Sequence, residues 1–571
     1  MTPLFTLLIF STHSVLAQLL LPSPAFLPPP ASSGTRAYNQ DTIPNSQWST
    51  LLGNLLYFYE AQRSGHLPNT NRVSWRNDSA VNDGSDVHLD LTGGYYDAGD
   101  YIKCTFPLSF SIMSICWGAN DFGRGYDLAN QTAYLDDMLA GAHPTSRTLY
   151  VQVADANLDN AYWGGDLNIP QDRHRIRSMT PGEAVFPGTD AAAGASAAFA
   201  ACSNLYANRN LGPSFSAPAS LQNSSYADIL LTHARDLYAF AQTYQTAVPQ
   251  AGVAYASSSY GDELAMAALL LSWATNSSDY YSQAESYYKQ YSLGGTDFVF
   301  NWDSKTPGLV VLFAQLANAG AGAGGSFAGN LSGWQVEAER YFDRILNGGG
   351  PSFKTNSGLL WYPGDSDDAS LNPALNAAML LTRYAQIATT QEKKKNYLDF
   401  AQSQLDYALG NNPMSAPYIV GSNPNSPVNP HSAMASGGND INHIDTSPPQ
   451  EAYILYGAVV GGPDRKGRFY DIRSDWPETE VALDYNAPML SLTAMHVLND
   501  TSDPFFTRLQ AGTFAANKPG GKPCDAAFPC HSGLSKGAKV ALGVVLSIVG
   551  SAIAAAVAYY FYRRRRQRSK Y

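Results

Sequence analysis

The chain has 571 residues, of which 45% are hydrophobic and only 15% charged, ample material for a large core and unlike a disordered composition. Its formal net charge is −11, and six of its 36 basic residues fall in the last nine positions, which leaves 30 basic against 47 acidic side chains before them. A body that acidic repels phosphate backbones, which excludes nucleic-acid binding as a main function; five cysteines in this length exclude a disulfide scaffold.

Residues 1–17 open with an apolar run, Leu4 to Phe10, and end on Val15-Leu16-Ala17, a small-residue cleavage pattern, so a secretory signal peptide is expected there. Residues 18–42, with Pro28-Pro29-Pro30, read as a loose N-terminal leader. From about Ala191 to Asn499 the periodicity is helical. In 227–244 the residues Leu230, Ala234, Leu237, Ala241 and Tyr244 recur at spacings of four and three, one apolar stripe. The stretch 395–409 repeats this with Leu398, Ala401, Leu405 and Ala408, then stops at Gly410 with Pro413 beyond. Similar stripes run through 262–274, 333–346, 375–387 and 488–498. No alternating run of β-branched residues competes with them, and no composition break divides residues 43–500. The expectation is one large all-α domain.

Residues 501–539, rich in Gly, Pro and Lys, read as a stalk. The following 540–562 carry no charge and would make roughly 34 Å of helix, enough to span a bilayer core. Tyr559, Tyr560 and Tyr562 suit a membrane interface, and Arg563 to Arg566 follow at once. This predicts one C-terminal transmembrane helix, a basic cytoplasmic tail at 563–571 and a body outside the plasma membrane; a glycolipid-anchor signal is the rival reading. Six N-x-Ser/Thr sequons, at Asn77, Asn130, Asn223, Asn276, Asn330 and Asn499, fit an exported glycoprotein. There Cys524 and Cys530 could close a small loop, while Cys104, Cys116 and Cys202 form an odd set with at least one member free or paired elsewhere.

Two carboxylate clusters carry chemistry. In Asp90-Leu-Thr-Gly-Gly-Tyr-Tyr-Asp97-Ala-Gly-Asp100, two acids three apart with small residues between can aim at one water. Taken alone, such acids are more often a turn and a helix N-cap. The second cluster runs from Phe469 through Asp471, Asp475, Glu478, Glu480 and Asp484 to Ala487, with aromatic and apolar neighbours that can raise a Glu pKa and suit it to general-acid work.

The two clusters together resemble glycoside hydrolase family 9, the inverting cellulases. The similarity begins at Tyr59-Glu60-Ala61-Gln62-Arg63-Ser64-Gly65 and continues through Trp75-Arg76-Asn77-Asp78-Ser79, Asp97–Asp100, Tyr150-Val-Gln-Val153, Asp262-Glu263-Leu264 and Tyr407–Pro413 to the 469–487 segment. It implies an (α/α)6 barrel of six inner and six outer helices, with a cleft across the loops at one end. It also implies an endo-β-1,4-glucanase that inverts the anomeric centre of cellulose or a related β-glucan. Asp100 would be the base, Asp97 would help hold the water, and Glu480 would be the acid. His431 and Tyr485 match substrate contacts, and Trp163 and Trp361 match cleft aromatics on which glucose rings stack. No cofactor is implied for catalysis. Asp262, Glu263 and Asp303 would hold a structural calcium ion, and a monomer is expected.

Some positions depart from the family pattern. Pro430-His431-Ser432-Ala433 lacks the family's Arg, Gly194 stands where relatives carry a Glu, and Tyr362-Pro363-Gly364-Asp365 replaces an aromatic stretch. These leave open a catalytically weak glucan-binding or wall-interaction protein. They also leave open an exo-acting β-glucosaminidase or a β-1,3/1,4-glucanase on the same fold.

Overall fold

The computed structural model describes residues 45–140, 149–170, 177–179, 188–212, 215–245, 254–321 and 330–530, with 546, 553 and 555–559 near the C-terminus. Among the described residues, twelve helices are nine residues or longer: α1 (Ser46–Ala61), α2 (Thr105–Phe122), α3 (Thr132–Ala140), α4 (Thr189–Tyr206), α5 (Ser224–Tyr244), α6 (Gly261–Thr275), α7 (Ser278–Gln290), α8 (Thr306–Ala321), α9 (Leu331–Asn347), α10 (Leu371–Tyr384), α11 (Gln391–Ala408) and α12 (Leu483–Asn499).

Contacts between them close a ring. α2 packs on α4, α4 on α6, α6 on α8, α8 on α10, α10 on α12, and α12 returns to α2. Outside lie α5 against α4, α7 against α6, α9 against α8, α11 against α10 and α1 against α12, with α3 beside α1. This is the expected barrel of paired helices, and the sequence explains which helix takes which layer. α6 is buried at every position from Gly261 to Ala274, and α4 presents Ala192, Ala193, Ala197, Ala200 and Ala201, all essentially without exposure. Small side chains let inner helices approach closely. The outer α5 keeps a stripe, with Leu230, Ala234 and Ala241 buried and Ile229 47% exposed. Side-chain caps set several outer starts: Asn223 on α5, Asn330 on α9 and Thr390 on α11.

Five short strands escaped the all-α reading. β1 (Lys103–Cys104), β2 (Leu149–Val153) and β3 (Arg177–Met179) form an antiparallel sheet in that order, and β4 (Phe353–Lys354) pairs with β5 (Leu360–Trp361). Strands of two to five residues are too short for period-two alternation to register. The odd cysteine set resolves into a Cys116–Cys202 disulfide joining α2 to α4, and Cys104 is a buried free thiol.

The body extends further than expected. Residues 501–523 belong to the same compact unit: Phe506 and Phe514 are buried, the Trp48 indole N–H donates to Ser502 O at 2.9 Å, and the Asn425 amide donates to Gln510 O at 2.8 Å. Residues from Cys524 onward form a second unit, within which Cys524 and Cys530 are bonded.

The membrane reading needs correction. Among the described residues no helix is long and apolar enough to cross a membrane, so the single-span plasma-membrane placement is not upheld. The rest of 540–562 apart from 546 and 553, the signal at 1–17, the leader at 18–42 and the tail at 563–571 lie outside the described residues.

Candidate active site

The Asp97–Asp100 turn is clamped from two sides. The Leu483 N–H at the start of α12 donates to Asp97 O at 3.0 Å, and the Ala433 N–H donates to Gly99 O at 2.7 Å. Gly99 is required by this second contact, since a Cβ there would stand 2.1 Å from His431 O. The small residues between the two acids thus make room for a neighbouring loop as well as for water.

The second cluster's acid lies beside that loop. Glu480 follows the short helix Trp476–Thr479, and its backbone runs beside His431, whose N–H donates to Thr479 O at 2.8 Å. His431 Nδ1–H donates to Arg473 O at 2.7 Å, which leaves Nε2 as an acceptor, and burial pushes the imidazole pKa down, so the ring is neutral. Trp163 leans on His431 with ring centroids 4.9 Å apart, in an apolar cluster with Tyr96, Tyr101, Ala433 and Met434. Ala433, where the family carries an Arg, is only 1% exposed and faces this packed wall.

Burial dominates the electrostatics. It pushes Glu480 up to about 8, helped by Asp97, Asp484 and Asp368. Asp97 is pushed up to about 7 by burial and partly restrained by the Tyr255 hydroxyl, which donates to its Oδ2. Asp100 is raised well above the carboxylate range by burial, then by the neighbouring acids Asp159, Glu480 and Asp97. Asp484 is pushed up to about 7 by burial and by Asp97, although the Asn372 amide donates to it at 3.0 Å. Glu480 and Asp484 also act on the Tyr485 hydroxyl, which burial holds far above its ordinary pKa. The site therefore gathers four carboxyls of raised proton affinity, Asp97 and Asp484 buried and Asp100 and Glu480 half-buried, the environment an acid–base pair needs near neutral pH.

Not every expected residue joins them. Trp361 sits on β5, 3% exposed within the main apolar core. Of the calcium candidates, Asp262 and Glu263 interact with each other. Among the described residues no group of three or more acidic, His or Cys side chains can hold a metal ion. The cation facing Glu263 is instead the Lys305 ammonium at 2.9 Å, Asp262 accepts the Lys305 N–H at 2.6 Å, and Asp303 accepts the Ser258 N–H at 2.7 Å. Of the sequons, Asn130 is half-buried and the other five are exposed. The Asn223 and Asn330 side chains cap helices, the Asn77 amide donates to Asp166 at 3.2 Å, and the Asn499 amide donates to Met495 O.

Three contributors were not singled out from sequence. Asp484 lay within the second cluster without a role. Tyr255 and Asp159 carry no local signal at all, because each reaches the carboxyls only through the folded loops.

The glycosyl hydrolase family 9 model matches residues 48–493. Endoglucanase 13 of Arabidopsis thaliana is 35% identical over 489 residues, covering 79% of this chain and 94% of the relative. Endoglucanase A of Bacillus pumilus is also 35% identical, over 76% of this chain and 63% of its own length. Among solved structures, the endoglucanase of the termite Nasutitermes takasagoensis superposes with a TM-score of 0.68 at 34% identity, covering 81% of this chain and 99% of the termite chain. A cellulase of C. cellulolyticum in complex with cellobiose gives 0.68 at 28% identity, over 79% and 98% of the two chains. Barrel, carboxyl cluster and matched length agree, and the chain belongs to glycosyl hydrolase family 9.

Proposed function

We propose that this chain hydrolyses internal β-1,4-glucosidic bonds of cellulose or a related β-glucan with inversion, Asp100 acting as base and Glu480 as acid. It is a glycoside hydrolase of the endoglucanase type, as its plant, bacterial and termite relatives are named. The observation that carries the division of labour is the convergence of Asp97, Asp100 and Glu480 from opposite ends of the sequence into one mutually interacting group.

In this reading Glu480, protonated up to about pH 8, gives its proton to the leaving glycosidic oxygen. Water held by Asp97 and Asp100 attacks the anomeric carbon from the other face, and its proton passes to Asp100. Tyr255 fixes Asp97 through its hydroxyl, leaving the other carboxylate oxygen for the water. His431 Nε2 accepts from a sugar hydroxyl, and the Tyr485 hydroxyl, beside Glu480, borders the reacting ring.

Proton NMR of fresh products from a soluble cello-oligosaccharide tests this. The α-anomer should appear first and relax to the equilibrium mixture; a β-anomer at first turnover contradicts the inverting assignment.

A further inference from the structure

The family match ends at residue 493, but the body continues as a strap, residues 505–518, that grips two stretches leading into the site. On the first, the Asn423 amide donates to Phe506 O at 3.0 Å, the Asn425 amide donates to Gln510 O at 2.8 Å, and Asn425 Oδ1 accepts the Phe514 N–H at 3.2 Å. On the second, the buried Phe514 ring packs on Phe469 with centroids 6.0 Å apart. The Lys518 ammonium then reaches Asp471, 3.3 Å from its carbonyl oxygen and 3.6 Å from Oδ2. Asp471 is 2% exposed and has a φ of +48°, uncommon for a residue with a Cβ, so its conformation depends on what it bonds.

Asp471 ties the two stretches together. Its Oδ1 accepts the Asn429 N–H at 3.0 Å and the Val428 N–H at 3.2 Å, and its carbonyl accepts the Asn429 amide at 3.0 Å. Two residues beyond Asn429 stands His431, and two residues beyond Asp471 stands Arg473, whose carbonyl takes the His431 Nδ1–H at 2.7 Å. His431 thus hangs between the two stretches that Asp471 joins.

We propose that Lys518 is a positioning residue for His431, its ammonium holding Asp471 so that the loop ahead of the histidine keeps Nε2 aimed at the sugar. This rests on the reading of His431 as a substrate contact. Without the ammonium the Asp471 carboxylate keeps only the donors of Val428 and Asn429, and the loop loosens. Glu480 is fixed independently, since its N–H donates to Trp476 O at 3.0 Å and its carbonyl accepts the Gly461 N–H at 2.9 Å. The loss therefore falls on glucan binding rather than on proton transfer.

Lys518→Met keeps the apolar stem and removes the ammonium. Its KM for cellopentaose should rise about two- to fivefold, the scale of a partly exposed ion pair, with kcat within about twofold, the pattern of lost ground-state binding. Lys518→Arg keeps the cation and should hold the wild-type KM; a rise equal to that of Lys518→Met overturns the inference. His431→Ala runs beside them. If it leaves KM unchanged, the reading of His431 fails and this inference with it. If it raises KM, Lys518→Met should add nothing in that background, because its effect passes through the imidazole. A Lys518→Met chain with the wild-type KM, or one whose rise persists in full without His431, overturns the inference and leaves the His431 reading standing. Should thermal unfolding show that the methionine variant does not fold, Lys518→Gln takes its place under the same readings.

Discussion

The Tyr255 hydroxyl donates to Asp97 Oδ2 across 158 residues of sequence. Tyr255 is itself held edge-on against Trp302 with ring centroids 4.9 Å apart, and Trp302 O accepts from the Lys305 ammonium that pairs with Glu263. The segment carrying Glu263 and Lys305 is thus linked through Trp302 and Tyr255 to Asp97 of the carboxyl cluster. Tyr255→Phe keeps the ring packing and removes only the donor. A hydrogen bond to a charged group is worth about 1.5–3 kcal/mol, so kcat should fall by about 10- to 100-fold with the fold intact. An unchanged kcat at full stability would show that Asp97 needs no bracing.

The pH dependence of activity follows from the two raised carboxyls. Asp100 must be ionised and Glu480 protonated, so the acidic limb reports the first and the basic limb the second. Glu480 at about 8 places the basic limb there rather than near 4.5. Asp368, exposed at the edge of the site, contributes after burial, Asp97 and Asp484. Asp368→Asn should lower the basic limb by about half a pH unit or less at low salt, and high salt should shrink the difference, because exposed charges are screened. A limb that moves upward would mean Asp368 does not act through its charge.

Stability should depend on pH through the same groups. Asp97 and Asp484 at about 7, and Glu480 and Glu451 at about 8, bind protons more tightly folded than unfolded. Between about pH 4 and 8 the folded state therefore holds more protons, and stability falls as pH rises through that window. His431 and His496 act oppositely: burial lowers both, so their stabilising effect is lost as pH falls below about 6.5. Above that pH only the carboxyls among these groups are changing. Tm should drop from pH 6.5 to 8.5, and Asp484→Asn should flatten the drop. A calorimetric Tm that rises over this interval would contradict the burial of these acids.

The long helices were legible where one face is wet. The stripe read at 395–409 corresponds to α11 at Gln391–Ala408, with the Gly410 and Pro413 stop where expected. α12 shows where the pattern dims. It begins at Leu483, five residues before the stripe found at 488–498, because Asp484 and Asn486 are buried polar groups serving the site and the Gly457–Val459 backbone. Asp97, Asp100 and Glu480 were legible through local motifs and their resemblance to a family. Asp159 and Tyr255 were not, since an acid after a turn and a tyrosine in a Ser-rich loop acquire meaning only when the barrel brings their loops to one end. Trp361 shows the converse: the motif match pointed to a sugar platform, and the packing made it core.

Glu480 and Asp100 can be separated by the leaving group. An oxygen leaving group from a glucan is poor and needs the Glu480 proton, whereas fluoride leaves without one. Glu480→Gln should therefore lose about 10²–10⁴-fold on cello-oligosaccharides, the usual range for general acid assistance, yet retain much of its activity on β-cellobiosyl fluoride, whose leaving group departs from the same face as the glucan's. Asp100→Asn leaves the water unactivated whatever departs, so it should be inactive on both substrates. The Gln variant also removes the group that sets the basic limb, so its residual fluoride activity should not decline near pH 8. Initial rates on the two substrates, measured for both variants across pH 5–9, check the assignment. Equal losses of Glu480→Gln on fluoride and on glucan would remove Glu480 from the role of acid, and recovery of Asp100→Asn on fluoride would exchange the two roles.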